Sequence, residues 1–130
     1  MRNIRSYLFL TPDNSDTALK RIIDSTLGGL GLKGLPLTKT IDNETSRLVD
    51  QADLVIADVS GSDPDIMYMV GMAQGGGKVV LPIVGRDEKE LPSTLGRIQY
   101  LVYDPIQPES FRRPLKFWAQ HLLPVSSEHA

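Results

Sequence analysis

The sequence contains no cysteine and only two histidines, His121 and His129, among its 130 residues. Without cysteine, the chain has no disulfides, no thiolate metal ligands and no cysteine nucleophile. Because imidazole is also scarce, we expect neither a metal site nor a metal-dependent activity, and no other cofactor is predicted. Long apolar runs are missing too, so no segment is predicted to span a membrane.

A strong net charge is also absent. The 14 basic and 16 acidic residues leave a net charge of −2, with a pI near 5.6. This balance supplies no electrostatic attraction to nucleic acid or to an anionic membrane surface, so neither is an expected partner. The first ten residues carry too short an apolar run for a signal peptide and are followed by a turn signal at Thr11-Pro12. We therefore expect a first strand at this end and a cytoplasmic protein.

Short apolar runs alternate with segments of helical spacing, which is typical of a βαβ order and a parallel sheet. The sequence predicts one α/β domain over residues 1–124, a flavodoxin-like (Rossmann-like) three-layer sandwich with about five mostly parallel strands. A frayed tail is predicted at 125–130. The predicted strands cover residues 4–10, 32–38, 54–57, 79–84 and 98–103, and the predicted helices cover 15–27, 43–51, 65–74 and 111–123. Pro36 places the second strand at an edge, and the unbroken apolar run 54–57 indicates a central strand.

Gly29, Gly31 and Gly34 match the G-x-G-x-x-G spacing of dinucleotide-binding loops. That fingerprint requires a strand before the glycines and a helix after them, so that phosphate meets the helix amino terminus. Here a helix precedes the glycines and a strand follows. The pattern therefore favours a helix end, and phosphate binding at these glycines is not predicted.

The loop that follows the predicted central strand is rich in carboxylates, from Asp58 to Asp65. Asp63 or Asp65 can cap the next helix, with Pro64 in its first turn, and this structural role is as well supported as ligand binding. Asp58 ends a buried strand and must find hydrogen-bond donors, from local backbone or from the hydroxyls of a ligand. Acids beside Ser60 and Gly61 suit the hydroxyls of a sugar better than a phosphate.

Thr11 and Pro12 leave the first strand at the same edge of the sheet as this acidic loop. If the first and third strands are neighbours, the two loops form the walls of one cleft at the carboxyl ends of the strands.

Methionines crowd the helix that follows the acidic loop, at Met67, Met69 and Met72. Methionine fills irregular gaps in cores, which is one interpretation. Positions 66, 70 and 73 form the predicted core stripe, which leaves Met69 near the cleft or on a partner surface. A methionine-rich face is equally compatible with an oligomer contact and with a platform for a ligand.

Three stretches together resemble a known family. They are Ala52-Asp-Leu-Val-Ile-Ala-Asp-Val-Ser-Gly61, Asp63-Pro-Asp-Ile-Met-Tyr-Met-Val-Gly-Met-Ala73 and Gly77-Lys-Val-Val-Leu81. They are similar to the central motif of the nucleoside 2-deoxyribosyltransferase-like proteins, which overlap with bacterial Toll/interleukin-receptor-like (TIR-like) domains. The stretch 91–100 also resembles the family's segment before its last strand. The resemblance is strong over residues 48–103, and it implies a flavodoxin-like sheet with a nucleoside or nucleotide in the cleft.

The chain departs from the family motif at the position of its chemistry. Family members that cleave N-glycosidic bonds use a glutamate nucleophile directly after the motif tyrosine, and the aligned residue here is Met69. A thioether cannot attack or stabilise an anomeric carbon as a carboxylate does. Asp65 replaces the motif's usual asparagine, and Gln74 its usual histidine. Asp63 and Asp65 are weak substitutes for the missing nucleophile.

The resemblance and the residues together favour a catalytically degenerate domain that binds a nucleoside- or nucleotide-type molecule and self-associates as a homo-oligomer. The predicted ligand-binding residues are Thr11, Pro12, Asp58, Ser60, Gly61, Asp63, Asp65, Met67 and Met69. Two alternatives stay open. One is an active N-glycosidase or deoxyribosyltransferase that uses another carboxylate, and the other is a protein-interaction module with a vestigial cleft.

Overall fold

The computed structural model describes residues 4–12, 17–36, 41–88 and 99–122, and within them five strands form one parallel sheet in the order β2-β1-β3-β4-β5. The strands are β1 (Ser6–Leu10), β2 (Lys33–Gly34), β3 (Leu54–Asp58), β4 (Val79–Gly85) and β5 (Leu101–Tyr103). The helices are α1 (Ala18–Gly29), α2 (Asn43–Gln51), α3 (Pro64–Gly75) and α4 (Arg112–His121). Short 3₁₀ turns cover Ser60–Ser62 and Pro108–Phe111. The predicted tail 125–130 lies outside the described residues.

Helices cover both faces of the sheet, which confirms the predicted three-layer α/β fold. One core cluster joins Ile56 of β3 with Ile23 of α1 and Leu115 of α4, and the other joins Val55 with Val49 of α2 and Val70 of α3. Because side chains alternate along a strand, neighbouring residues of β3 feed opposite cores. All five residues of β3 are buried, as the unbroken apolar run predicts for a central strand.

Two predicted strands are shorter than expected. Within the described residues, β2 is limited to Lys33 and Gly34, and positions 37–38 of the predicted strand lie outside them. The place of β2 at the edge confirms the prediction from Pro36. β5 holds three residues at the other edge.

Helix α1 begins about one turn later than predicted. Its cap is Thr17, whose hydroxyl accepts the backbone N–H of Lys20.

The glycine pattern after α1 closes that helix, as predicted. Gly31 has φ +91, and the backbone N–H of Leu32 donates to the carbonyl of Leu27 at 3.0 Å. Glycine is favoured at such a left-handed position because it carries no Cβ. None of the helices in the described part of the chain combines the length and hydropathy needed to cross a bilayer.

Among the glycines that the structure describes, Gly34 is the one that packing restricts most directly. A Cβ at this position would lie 2.8 Å from the hydroxyl oxygen of Tyr7 and 2.9 Å from its ring carbon Cζ. Tyr7 is buried, and its hydroxyl donates to Asp24 at 2.5 Å, which leaves the ring little freedom to move. Burial and this hydrogen bond also raise the pKa of Tyr7 above its ordinary value.

Gly34→Ala is therefore expected to lower the free energy of unfolding by about 1–3 kcal/mol, the usual effect of overpacking. Gly28→Ala is the matched control, because a Cβ there meets nothing within 4 Å and alanine favours a helix. Urea unfolding of both variants measures the difference. Equal stability of Gly34→Ala and Gly28→Ala would show that Tyr7 moves aside at no cost.

Candidate functional site

A cavity of about 250 Å³, the inner cavity, lies at the carboxyl-terminal edge of the sheet. Its lining residues are Phe9, Thr11, Thr17, Ala18, Leu19, Asp58, Tyr103, Pro105 and Pro108. β1 pairs directly with β3, so Thr11, just after β1, and Asp58, at the end of β3, both line this cavity. Strand order reverses at this point of the sheet, and open α/β sheets bind ligands at such a switch point.

Asp58 supplies the buried charge of the inner cavity. It is the last residue of β3 and is 7% exposed. Its Oδ1 accepts the backbone N–H of Ser60 at 3.1 Å, and its Oδ2 accepts the hydroxyl of Tyr103 at 2.7 Å. A carboxylate offers about four acceptor sites. Asp58 is therefore fixed in orientation and retains capacity for the hydroxyls of a ligand.

Tyr103 ends β5 and holds its hydroxyl against Asp58. Burial is the main cause that raises the pKa of Tyr103 to about 12, and the hydrogen bond to Asp58 adds to it. The charges of Asp58 and Glu88 act in the same direction. The phenol consequently stays protonated at neutral pH and remains a donor to the carboxylate.

The raised pKa of Tyr103 predicts a loss of stability in alkali. Its ordinary pKa of 10 applies to the unfolded chain, so the unfolded state releases this proton first as the pH rises. We compare the free energy of unfolding of wild type with that of Tyr103→Phe. The difference in favour of wild type should stay constant below pH 10 and shrink as the pH approaches 12. Urea unfolding of both proteins across this range measures it, and a difference that does not change with pH would contradict the assigned environment.

Ser60 and Gly61 tie the loop after β3 to neighbouring segments. The hydroxyl oxygen of Ser60 accepts the backbone N–H of Gly85 at 2.7 Å, at the end of β4. Gly61, with φ +76, donates its backbone N–H to Oε2 of Glu88 at 2.7 Å. These contacts fix the loop behind Asp58, and neither residue is among those that line the inner cavity.

Asp63 caps α3, one of the two roles that the sequence left open. Its Oδ1 accepts the backbone N–H groups of Asp65 and Ile66 at 2.9 and 3.1 Å, and Pro64 occupies the first turn. Asp65 is exposed on that turn. Its negative charge interacts favourably there with the positive end of the helix dipole.

Met69 lies in the core, which corrects the expectation that it faces the cleft or a partner. It is 6% exposed and packs in the cluster between the sheet and helices α2 and α3. The buried residues of α3 are Ile66, Met69, Val70 and Ala73. This set has the i, i+3, i+4, i+7 spacing of a full apolar stripe. The predicted stripe of positions 66, 70 and 73 omitted the i+3 position, which is Met69.

The other two predicted ligand contacts are not among the residues that line the inner cavity. Met67 is half-buried against the same core cluster as Met69. Pro12 is exposed after β1. Of the nine residues predicted to bind ligand, the structure brings Thr11 and Asp58 together at the inner cavity.

Sequence reasoning missed Tyr103, which lines the inner cavity, and Glu88, which holds the loop behind it. Tyr103 and Glu88 are 45 and 27 residues from their partners Asp58 and Gly61, so no local pattern links them. The only available signal for Tyr103 was its place at the end of the last predicted strand. In a parallel sheet, that end shares its edge with Asp58.

A second, open groove of about 850 Å³, the outer groove, adjoins the inner cavity and shares Ala18 and Pro108 with it. It runs between α1 and the turn Pro108–Phe111 and carries Arg21 and Arg112. The guanidinium of Arg112 donates to the Ser25 hydroxyl at 2.7 Å and pairs with Glu109. The outer groove therefore contains two guanidinium groups, whereas the charged residue that lines the inner cavity is the carboxylate of Asp58.

The fold is similar to that of a known enzyme. A CMP N-glycosidase from Clostridium botulinum, BcmB, superposes with a TM-score of 0.67 at 15% sequence identity, and the match covers 88% of this chain and 99% of that one. Comparison with protein-family models gives no match, and comparison with curated proteins gives none either. At this identity the similarity concerns the architecture, a flavodoxin-like α/β fold that a nucleotide-cleaving enzyme also uses.

Proposed function

We propose that this chain binds a nucleoside-type small molecule in the inner cavity and is catalytically degenerate toward N-glycosidic bonds. The observation that carries the proposal is the buried carboxylate of Asp58, oriented by Tyr103 at the switch point of the sheet. Buried polar groups in a largely apolar cavity are typical of small-molecule sites. Architectural similarity to a CMP N-glycosidase supports a nucleoside-type ligand.

The lining of the inner cavity matches the two halves of a nucleoside. Hydroxyls of the sugar donate to the remaining acceptor sites of Asp58, and the Thr11 hydroxyl adds a group that both donates and accepts. The apolar part of the lining, with Phe9, Leu19 and Pro108, suits the faces of a sugar or a base. The predicted contacts at Thr11 and Asp58 fit this arrangement best.

The packing of α3 supports catalytic degeneracy. Met69, at the position where the resemblance implies a glutamate nucleophile, is buried among apolar side chains. Asp63 uses Oδ1 for two backbone N–H groups, and Asp65 is exposed. No carboxylate besides Asp58 is among the described residues that line the inner cavity. The alternative of an active enzyme with a substitute acid therefore has less support.

Binding and turnover are tested together. Purified protein is titrated with nucleosides and nucleotides in a thermal-shift assay, and the same mixtures, with NAD added, are analysed chromatographically for free base. We expect a higher melting temperature with nucleosides, because ligands stabilise the folded state they bind, and no released base. Turnover that Asp63→Ala or Asp65→Ala abolishes would establish the active enzyme instead.

A protein-interaction module is the second candidate, and one observation favours it. Val102 is 50% exposed in the edge strand β5, beside Tyr100 at 40%. An exposed strand edge with apolar side chains can pair with another chain. A flat thermal-shift response across the ligand panel, with a dimeric mass by light scattering, would favour this module over the ligand-binding domain.

A further inference from the structure

The backbone donors around the acidic loop are already bound by carboxylates of this chain. The N–H of Ser60 donates to Asp58, and the N–H of Gly61 donates to Glu88. At the start of α3, the N–H groups of Asp65 and Ile66 both donate to Asp63. Phosphate groups bind at helix amino termini and turns through such N–H groups. At this loop, a phosphate would have to displace three internal carboxylates.

The inner cavity itself is negatively charged. Its lining residues within the described part of the chain include Asp58 and no lysine, arginine or histidine. Glu88 adds a second negative charge nearby, because its carboxylate accepts the backbone N–H of Gly61 in the loop that follows Asp58. A buried anion without a cation repels a second anion strongly, since little solvent screens the two charges.

We infer that the inner cavity selects an uncharged nucleoside over its 5′-phosphate, and that the negative charges of Asp58 and Glu88 determine this selectivity. The inference rests on the proposed function, since it specifies the ligand class of the same site. Hydroxyls of the sugar donate to Asp58, whereas the 5′-phosphate adds negative charge next to Asp58 and Glu88. The N–H donors of the loop behind Asp58 are already bound by these two carboxylates. Selectivity arises here from repulsion of the wrong ligand as well as from attraction of the right one.

Calorimetric titration of the full chain with matched pairs tests the inference. Cytidine is compared with CMP, and adenosine with AMP, each at low and at physiological salt. We expect the nucleoside to bind at least about tenfold more tightly than its monophosphate, because like charges across a site cost more than 1.4 kcal/mol. The ratio should change little between the two salt concentrations, because salt screens buried charges much less than exposed ones.

A charge-removing variant tests the role of Glu88. Glu88→Gln keeps the shape of the side chain, and its amide oxygen can still accept the backbone N–H of Gly61. This variant should strengthen binding of the monophosphate about threefold or more and leave nucleoside affinity unchanged. Asp87→Asn is the control, because it removes an exposed charge next to Glu88 and should change neither affinity.

The possible failures are distinguishable. If wild type binds the monophosphate as tightly as the nucleoside, the inference is wrong and the proposed function survives. Loss of that binding in Arg21→Ala would then locate the phosphate in the outer groove. If neither compound of any pair binds, both the inference and the proposed function are wrong. Equal effects of Asp87→Asn and Glu88→Gln would replace a specific role of Glu88 with a general charge effect, which also contradicts the inference.

Discussion

Asp58→Asn is expected to weaken nucleoside binding by about 10- to 100-fold, the effect of losing a hydrogen bond to a charged group. An amide offers one oxygen acceptor where the carboxylate offers two. If that oxygen keeps the bond from Tyr103, the amide nitrogen faces the backbone N–H of Ser60, donor against donor. The variant should therefore also lose about 1–3 kcal/mol of folding stability.

Two measurements and a control variant separate binding from folding in this prediction. Calorimetric titration gives the affinity, and circular dichroism confirms that the variant is folded at the titration temperature. Asp65→Asn is the matched control, since this carboxylate is exposed on the same loop–helix segment and should bind nucleoside like wild type. A folded Asp58→Asn protein with unchanged affinity would remove Asp58 from the ligand site and place any ligand elsewhere.

Much of the fold could be predicted because its signals are local. The unbroken apolar run of β3 identified the central strand, and the spacing of polar and apolar residues gave α2 its observed limits, Asn43–Gln51. Strand lengths at the two edges were overestimated. Pairing with a neighbour decides where a strand ends, and β2 and β5 each have a neighbour on one side only.

The site could be predicted only where it follows from strand ends. Thr11 and Asp58 were identified because parallel strands end at one edge of the sheet. The partners Tyr103 and Glu88 depend on contacts across the sheet, which no spacing in the sequence encodes. Met69 was misplaced because a helical stripe is wider than one row of residues, and Ile66 and Val70 bring Met69 inward with them.

Met69→Glu is expected to lower the free energy of unfolding at pH 7 by about 3 kcal/mol or more, without creating N-glycosidase activity. The new carboxylate would replace a side chain that is 6% exposed in an apolar cluster. Burial of this kind raises a carboxyl pKa by about 2 units or more, and each unit corresponds to about 1.4 kcal/mol. Restoring the glutamate of the family motif would thus destabilise the core, and the buried carboxylate would not reach a substrate.

The pH dependence distinguishes a buried carboxylate from an exposed catalytic one. Because the folded pKa is raised, the stability of Met69→Glu relative to Met69→Gln should be greatest below pH 4 and fall as the pH rises through the folded pKa. Met69→Leu, which conserves volume, should cost less than about 1.5 kcal/mol. Urea unfolding across pH 3–8 measures the stability of each variant, and a base-release assay at each pH measures N-glycosidase activity. A stable Met69→Glu protein that releases base from a nucleoside would show that position 69 reaches the ligand, and the assignment of Met69 to the core would be wrong.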